Sequence, residues 1–210
     1  FNIRERRWAY NMMEELKIPE EIFPKPHKST EIIGEVTAEA SKETGLPKGI
    51  PVIVGGGDSP VGAIGCGAVK EGVISSNIGT GGQIFSTIDE FKVDPKYRVH
   101  TFCHAVPDKW CLQGATLSAG LSLRWFRDNF ASLERVVGDI LGIDPYEVLS
   151  LEAESAEAGC GGLIFLPYLI GERSPHMDPY AKGVFFGLTM DHGRAELVRA
   201  IMGGVTYSLR

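Results

Sequence analysis

No apolar run in the sequence approaches the ~18 residues that a helix needs to cross a membrane. No basic tract is present either. Lys and Arg number 21 against 27 Asp and Glu, for a formal net charge of -6, which leaves no footprint for a nucleic-acid backbone. The four cysteines, Cys66, Cys103, Cys111 and Cys160, lack close CxxC spacing, and this argues against a zinc or redox motif. Cys103 and His104 adjoin, with Cys111 nearby, as the nearest approach to a metal set; the reading is free thiols, buried or half-buried, in a reducing cytoplasm. No positively charged segment followed by an apolar one opens the chain, so a secretory leader has no support. The Gly-Lys-Ser/Thr of a Walker A loop is missing, and no GxGxxG precedes a helix. These absences describe a soluble folded protein with no membrane and no nucleic-acid partner.

Glycine is what the chain has in quantity, 26 residues clustered in turns without a collagen-like period. In Val52-Ile-Val-Gly-Gly-Gly-Asp58-Ser-Pro60 an apolar run stops at three glycines, an acid follows, and a helix of small residues begins. Asp58 there reads in two ways. It is an N-cap carboxylate, or it is a group that holds a hydroxyl and accepts its proton, its charge favoured by helix-start N–H groups. The glycines clear room for a ligand to approach the backbone. A second turn, Gly79-Thr80-Gly81-Gly82, lies between two strand-like runs. It is either a nest of inward N–H groups with the Thr80 hydroxyl or a tight hairpin that uses glycine for positive φ. A third block, Gly171-Glu-Arg-Ser-Pro-His-Met-Asp-Pro179, packs charge, imidazole and two prolines together. Its Arg173 can meet a phosphate or pair with Glu172 or Asp178, and His176 can bind a polyol or hold the loop. A fixed turn held by its own polar network is the stronger reading.

Periodicity places a helix over 4–16 with Trp8, Met12 and Leu16 at spacing four, and a short strand at 32–36. Thr37 caps a helix over 38–44 that Gly45 ends. The run 50–54 reads as a strand buried on both faces, since it shows no polar alternation. Gly62, Gly65 and Gly67 in the following helix each cost about 0.5–1 kcal/mol against Ala, which points to close backbone packing. Two hairpins follow, 72–78 with 83–88 and 99–105 with 109–113, the second turned at Pro107-Asp108. Helices are expected over 118–130, with Leu121, Trp125 and Phe126 inward, then over 132–140 and 144–154, and a strand follows a glycine entry at 160. From Arg194 onward Leu197, Val198, Ile201, Met202, Val205 and Leu209 form one stripe without a stop signal. The stripe reads as awaiting partners further along a longer chain, and a homodimer through such exposed surface is a further expectation.

Taken in order, Gly55-Gly-Gly-Asp58, Gly79-Thr-Gly-Gly82, and the run 159–187 with Leu166-Pro-Tyr-Leu-Ile-Gly-Glu-Arg-Ser-Pro-His176 and Gly183-Val-Phe-Phe-Gly-Leu188 resemble the FGGY carbohydrate kinases, the family of glycerol kinase, gluconokinase and xylulose kinase. The resemblance covers nearly the whole chain. His104-Ala-Val-Pro, Trp110 and Leu117-Ser-Ala-Gly-Leu-Ser-Leu-Arg-Trp125 look most like the xylulose-kinase branch. It implies an α/β ribonuclease H-like (actin-like ATPase) fold, with mixed sheets and flanking helices, incomplete at both ends. It also implies a sugar-domain end over 1–70 and the first part of a nucleotide-side domain over 71–210.

The activity implied is phosphorylation of a small-molecule sugar or polyol, D-xylulose at its C5 hydroxyl foremost, with ATP and Mg2+. Gluconate, another ketose and glycerol are the alternative acceptors, and a non-catalytic actin-like nucleotide-binding or scaffold module is the non-enzyme alternative. By the same resemblance Asp58 is the catalytic acid that orients and deprotonates the sugar hydroxyl, with Ser59 beside it at the substrate. Gly79, Thr80 and Gly81 meet the nucleotide phosphates, and Gly120 and Arg124 contact the nucleotide. The chain departs from the family pattern at Arg124, where glycerol kinases tend to carry Gln, at Ser59 for Asn or Gln, and at Gly203 for Glu.

Overall fold

The computed structural model describes residues 1–210. Its elements are α1 (Tyr10–Glu15), β1 (Ile32–Glu35), α2 (Ala38–Thr44), β2 (Pro51–Ile53), α3 (Asp58–Gly65), β3 (Ile74–Ile78), β4 (Gly82–Ile88), β5 (His100–Cys103), β6 (Trp110–Thr116), α4 (Gly120–Phe130), α5 (Ser132–Leu141), α6 (Pro145–Glu154), β7 (Ile164–Leu166), β8 (Val184–Phe186) and α7 (Arg194–Ser208). Strands β1 and β2 pair, β3, β4, β6 and β5 form a sheet in that order, and β7 pairs with β8. No helix is long and apolar enough to cross a membrane. The chain divides into two compact units, one of residues 1–75, 85–93 and 100–113, the other of residues 76–84, 94–99 and 114–210.

In the first unit local chemistry places the elements well. The Thr37 side chain accepts from the Ala40 amide, and Gly45 ends α2 in the left-handed region, as the capping pattern implies. The amino-terminal helix is shorter than its periodicity suggests. Residues 2 and 7 bridge in a small turn, with Arg6 at positive φ, and Asn2 accepts from the Glu5 amide. Those local bonds outcompete the first helical turn. Trp8 is then held between Phe1 and Phe23. Arg6 lies over Trp110, whose indole N–H donates to the Ile3 carbonyl.

Two packing expectations fail in this unit. Strand β2 is exposed along its length, Ile53 at 55%. An unbroken apolar run marks a strand, but it does not itself provide covering layers. Gly62 and Gly65 face open space, and Gly67 lies past the helix end at positive φ. These glycines therefore mark no close approach here.

The first unit's core gathers Ala63, Ala68, Phe85 and Cys111. His104, 4% exposed, sits at its edge with both ring nitrogens engaged: Nδ1 accepts from the Val106 amide at 2.8 Å and Nε2 lies 3.2 Å from the Ala68 carbonyl. An amide donor at Nδ1 and a carbonyl acceptor at Nε2 define a neutral imidazole protonated at Nε2. Neither nitrogen is open to a metal. The cysteines are free. Burial pushes the Cys111 thiol up to about 11. Cys66 is exposed, against the expectation of burial, because it follows the open end of α3.

In the second unit, α7 is the spine. Val198 and Ile201 are buried against Phe126, Leu149, Leu163 and Phe165, and Val205 is buried further along the helix. The stripe read as awaiting partners therefore packs on α4, α6 and β7 of this same unit. The helix crosses β7 at Gly204, where a Cβ would stand 2.1 Å from the Phe165 carbonyl oxygen. Arg194 opens α7 and ties three helices together, meeting Glu134 at 2.7 Å and Glu152 at 2.9 Å. Residues 118–154 fold as the three helices expected, with Asp144 capping α6 through the Tyr146 amide.

His104 generates a pH prediction. Burial holds its pKa below the ordinary value of 6.5, with Lys109 adding to the effect and the Ala68 carbonyl opposing it. The unfolded chain then takes up a proton at a higher pH than the folded one does. This contribution to stability is complete above the unfolded pKa and is lost as pH falls from about 6.5 through the folded pKa. Melting temperatures at pH 7.5 and 5.5 are expected to show a smaller acid-induced loss in His104→Gln than in the wild type. Equal losses would refute the assignment.

Candidate functional site

Asp58 stands in the first unit, where β2 leaves its pair with β1 and turns into α3. The Val54 and Gly55 amides donate to the Glu31 and Ser29 carbonyls at 3.0 and 2.9 Å, anchoring the glycine run. Gly55 has φ +75°, and a Cβ on Gly56 would press at 3.2 Å on Ala105 and Val61. The cap of α3 is Gly57, and Asp58 is the first helical residue, one position inside the N-cap expected for it. Its Oδ1 accepts from the Ser59 amide at 2.7 Å and, more weakly, from the Ser59 hydroxyl at 3.4 Å. Asp58 is exposed. An exposed carboxylate at a helix start, oriented by the next residue's N–H, is free to accept a hydrogen bond from a ligand hydroxyl.

The glycine-threonine turn lies in the second unit, between β3 and β4. It is a hairpin, as expected, but none of residues 79–82 takes positive φ. Space is what requires glycine here. A Cβ on Gly81 would stand 2.7 Å from the Thr116 carbonyl oxygen, and one on Gly120 would stand 2.5 Å from the Gly79 carbonyl oxygen. The turn is seated on the chain that leaves β6 and enters α4. The amides of Ala119 and Leu121 donate to the Thr80 carbonyl at 3.0 and 3.1 Å, and the Gly120 amide donates to the Gly79 carbonyl at 2.9 Å.

Of the N–H groups expected to form a nest, that of Gly79 is already engaged within the turn. The three amides at the head of α4 are spent on the turn, and the Gly79 amide donates to the Gly81 carbonyl. Thr80 itself is exposed. Its hydroxyl lies 3.5 Å from Nη2 of Arg124, one turn into α4. A hydroxyl donor and a guanidinium at one exposed spot fit an anion such as a phosphate. Gly120 reaches the site through its fit against the turn, since its own amide is occupied.

The Glu172 block holds a buried carboxylate that periodicity and spacing did not single out. Glu172 is 3% exposed. Its carboxylate accepts from the Thr116 hydroxyl at 2.6 Å, the Leu117 amide at 3.1 Å and the Arg173 amide at 2.6 Å. Its backbone bridges Asp178, whose carboxylate accepts from the Tyr180 amide, and the Ser174 amide donates to the Ala115 carbonyl. The fixed-turn reading of this block holds. The Arg173 guanidinium pairs with neither Glu172 nor Asp178, and His176 lies 3.1 Å from the Tyr168 hydroxyl. The one signal in the sequence was an acid set directly after an apolar strand and a glycine.

No group of three His, Cys, Asp or Glu side chains comes together in this chain. Mg2+ arriving with a nucleotide would need one or two carboxylates at most, beside phosphate oxygens and water.

Residues 1–65 match the N-terminal domain, and residues 75–210 the C-terminal domain, of the FGGY family of carbohydrate kinases. Gluconokinase of Bacillus subtilis (strain 168) is 38% identical over 209 residues, covering 99% of this chain and 40% of that protein. Xylulose kinase of Escherichia coli (strain K12) is 36% identical over 208 residues, with the same shares covered. Ligand-bound xylulose kinase from Lactobacillus acidophilus superimposes with a TM-score of 0.86 at 31% identity, over 99% of this chain and 40% of its own. The chain thus spans about two-fifths of the length of these relatives, and its α/β architecture is the actin-like one of the sugar kinases it resembles.

Seating of the turn gives a stability prediction. Gly120→Ala forces a methyl group against the Gly79 carbonyl and is expected to cost about 2 kcal/mol in denaturant unfolding. Stability within about 0.5 kcal/mol of wild type would mean that the turn does not rest on α4.

Proposed function

This chain belongs to the FGGY family of carbohydrate kinases, and we propose that the whole protein moves the terminal phosphoryl group of ATP to a sugar hydroxyl, D-xylulose giving D-xylulose 5-phosphate. The division of labour follows the sequence boundary near residue 70. Residues 1–70 close the sugar-binding domain and residues 71–210 begin the nucleotide-side domain, which the family matches over 1–65 and 75–210 support. The observation that carries the reading is the exposed Asp58 carboxylate, held on one oxygen by Ser59, at the head of α3.

In this mechanism Asp58 accepts the hydrogen bond of the attacking hydroxyl and takes its proton as the phosphorus–oxygen bond forms. Ser59 holds the carboxylate in place and lies at the substrate. A carboxylate is adequate for this task, because the hydroxyl becomes acidic only as transfer advances. Thr80, flanked by Gly79 and Gly81, and Arg124 hold phosphate oxygens. Gly120 keeps the turn against α4. Mg2+ would screen phosphate charge when bound with ATP. The remaining work is position and charge, which dominate phosphoryl transfer.

Gluconate is the second reading for the acceptor, favoured by the 38% identity to a gluconokinase. ADP release by the full-length protein across D-xylulose, other ketoses, gluconate and glycerol tests the two. The highest kcat/KM is expected with D-xylulose, and a maximum with gluconate would reassign the substrate while keeping the chemistry. ADP release that no acceptor stimulates would overturn the kinase reading. Asp58→Asn is expected to lower kcat at least about a hundredfold with sugar KM within about threefold. Retained kcat with a raised sugar KM would make Asp58 a binding residue only.

A further inference from the structure

We propose that Glu172 is the positioning residue for the phosphate-binding turn, acting through the backbone that the turn sits on. The inference rests on the nucleotide-side reading of Thr80 and extends it to a part of the chain that touches no phosphate. All of the groups involved lie in the second unit. The Glu172 carboxylate is buried and takes three hydrogen bonds, and two of the donors, the Thr116 hydroxyl and the Leu117 amide, belong to the stretch that ends β6 and leads into α4. That segment is the seat of the turn. The Thr116 and Leu117 carbonyl oxygens face Gly81 at 2.7 and 3.6 Å from where its Cβ would be, and the Ala119, Gly120 and Leu121 amides bind the Gly79 and Thr80 carbonyls.

A buried carboxylate is retained at a cost unless its lone pairs are satisfied. Here each oxygen has a donor: Oε1 takes the Leu117 and Arg173 amides and Oε2 takes the Thr116 hydroxyl. Removing the carboxylate would strand those donors in a dry site, and the segment would move to find water or new partners. The segment cannot move without unseating the turn, because there is no slack at Gly81 or Gly120. Arg173 is the outward-facing neighbour, and its amide holds the third contact of the carboxylate. The loop over 171–179 thereby acts as a brace behind the nucleotide site.

The full-length enzyme provides the test. Glu172→Ala is expected to raise the ATP KM about tenfold while the sugar KM moves less than about twofold. Glu172→Gln keeps a carbonyl oxygen for the two amides, and its NH2 can donate to the Thr116 oxygen, so the ATP KM is expected within about threefold of wild type. Thr116→Val, nearly isosteric, removes one donor and is expected to raise the ATP KM by about threefold even if Glu172→Ala does not fold.

Hydrogen exchange of the nucleotide-free protein is the second readout. The Ala119, Gly120 and Leu121 amides are expected to exchange at least about tenfold faster in Glu172→Ala, or in Thr116→Val to a lesser degree, while amides of α6 keep their rates. If Thr80→Ala leaves the ATP KM unchanged, the nucleotide reading of the turn fails, and exchange still decides the role of Glu172. Unchanged exchange at the three amides in a folded variant, or equal rises in ATP and sugar KM, would overturn the proposal.

Discussion

The carbonyl groups of Gly79 and Thr80 take the amide protons that open α4, and much of the candidate nucleotide side depends on that exchange. A helix start leaves several N–H groups without intrahelical partners. A serine, threonine or aspartate side chain usually meets one of them. At α4 the capping position is Ala119, whose methyl group can accept no hydrogen bond. A turn from a distant hairpin supplies main-chain oxygens in its place. The bonds reach only because Gly81 and Gly120 have no Cβ to hold the two segments apart. The result is a helix and a turn joined as one piece, with the Thr80 hydroxyl held outward near Arg124. Donors fixed in advance lose little freedom when an anion arrives.

Support for this piece extends backward in two directions. The Glu172 carboxylate grips the chain just before α4, trading the cost of a buried charge for three donors. The core behind it rests on α7, which lies on β7 so closely at Gly204 that backbone meets backbone. Arg194 then joins α7 to Glu134 of α5 and Glu152 of α6. These half-buried, charge-assisted bonds add direction to a core that packing alone would leave less specific. The site is thus carried on rigid elements, and the exposed groups need only point outward from them.

Much of the fold was legible because its causes are local. Thr37 and Gly45 bound α2 through bonds spanning three or four residues. Pro107-Asp108 turns β5 into β6, and Asp108 takes the positive φ that such a turn needs. The glycine run before Asp58 located the head of α3 to within one residue. Where local competitors were overlooked, the reading slipped. The Asn2 side chain and the bridge to Arg7 claimed residues that a period of four had assigned to a helix. Periodicity also said where apolar side chains lie along a helix without saying what would cover them, so the α7 stripe was read as unpartnered although α4, α6 and β7 bury it.

The amino-acid order by itself determined the kinds of elements, the two glycine turns, the place of Asp58 and Thr80, and the family pattern that joins them. Each is written in neighbours a few residues apart, where capping, φ preference and alternation act. Only the tertiary structure decided why Gly81 and Gly120 must lack side chains, that Glu172 reaches Thr116 and Leu117, and that His104 is a sealed core group with no nitrogen left for a metal. Those outcomes depend on groups dozens of residues apart meeting within hydrogen-bond distance, and no local preference encodes which distant carbonyl will stand where a Cβ would have been.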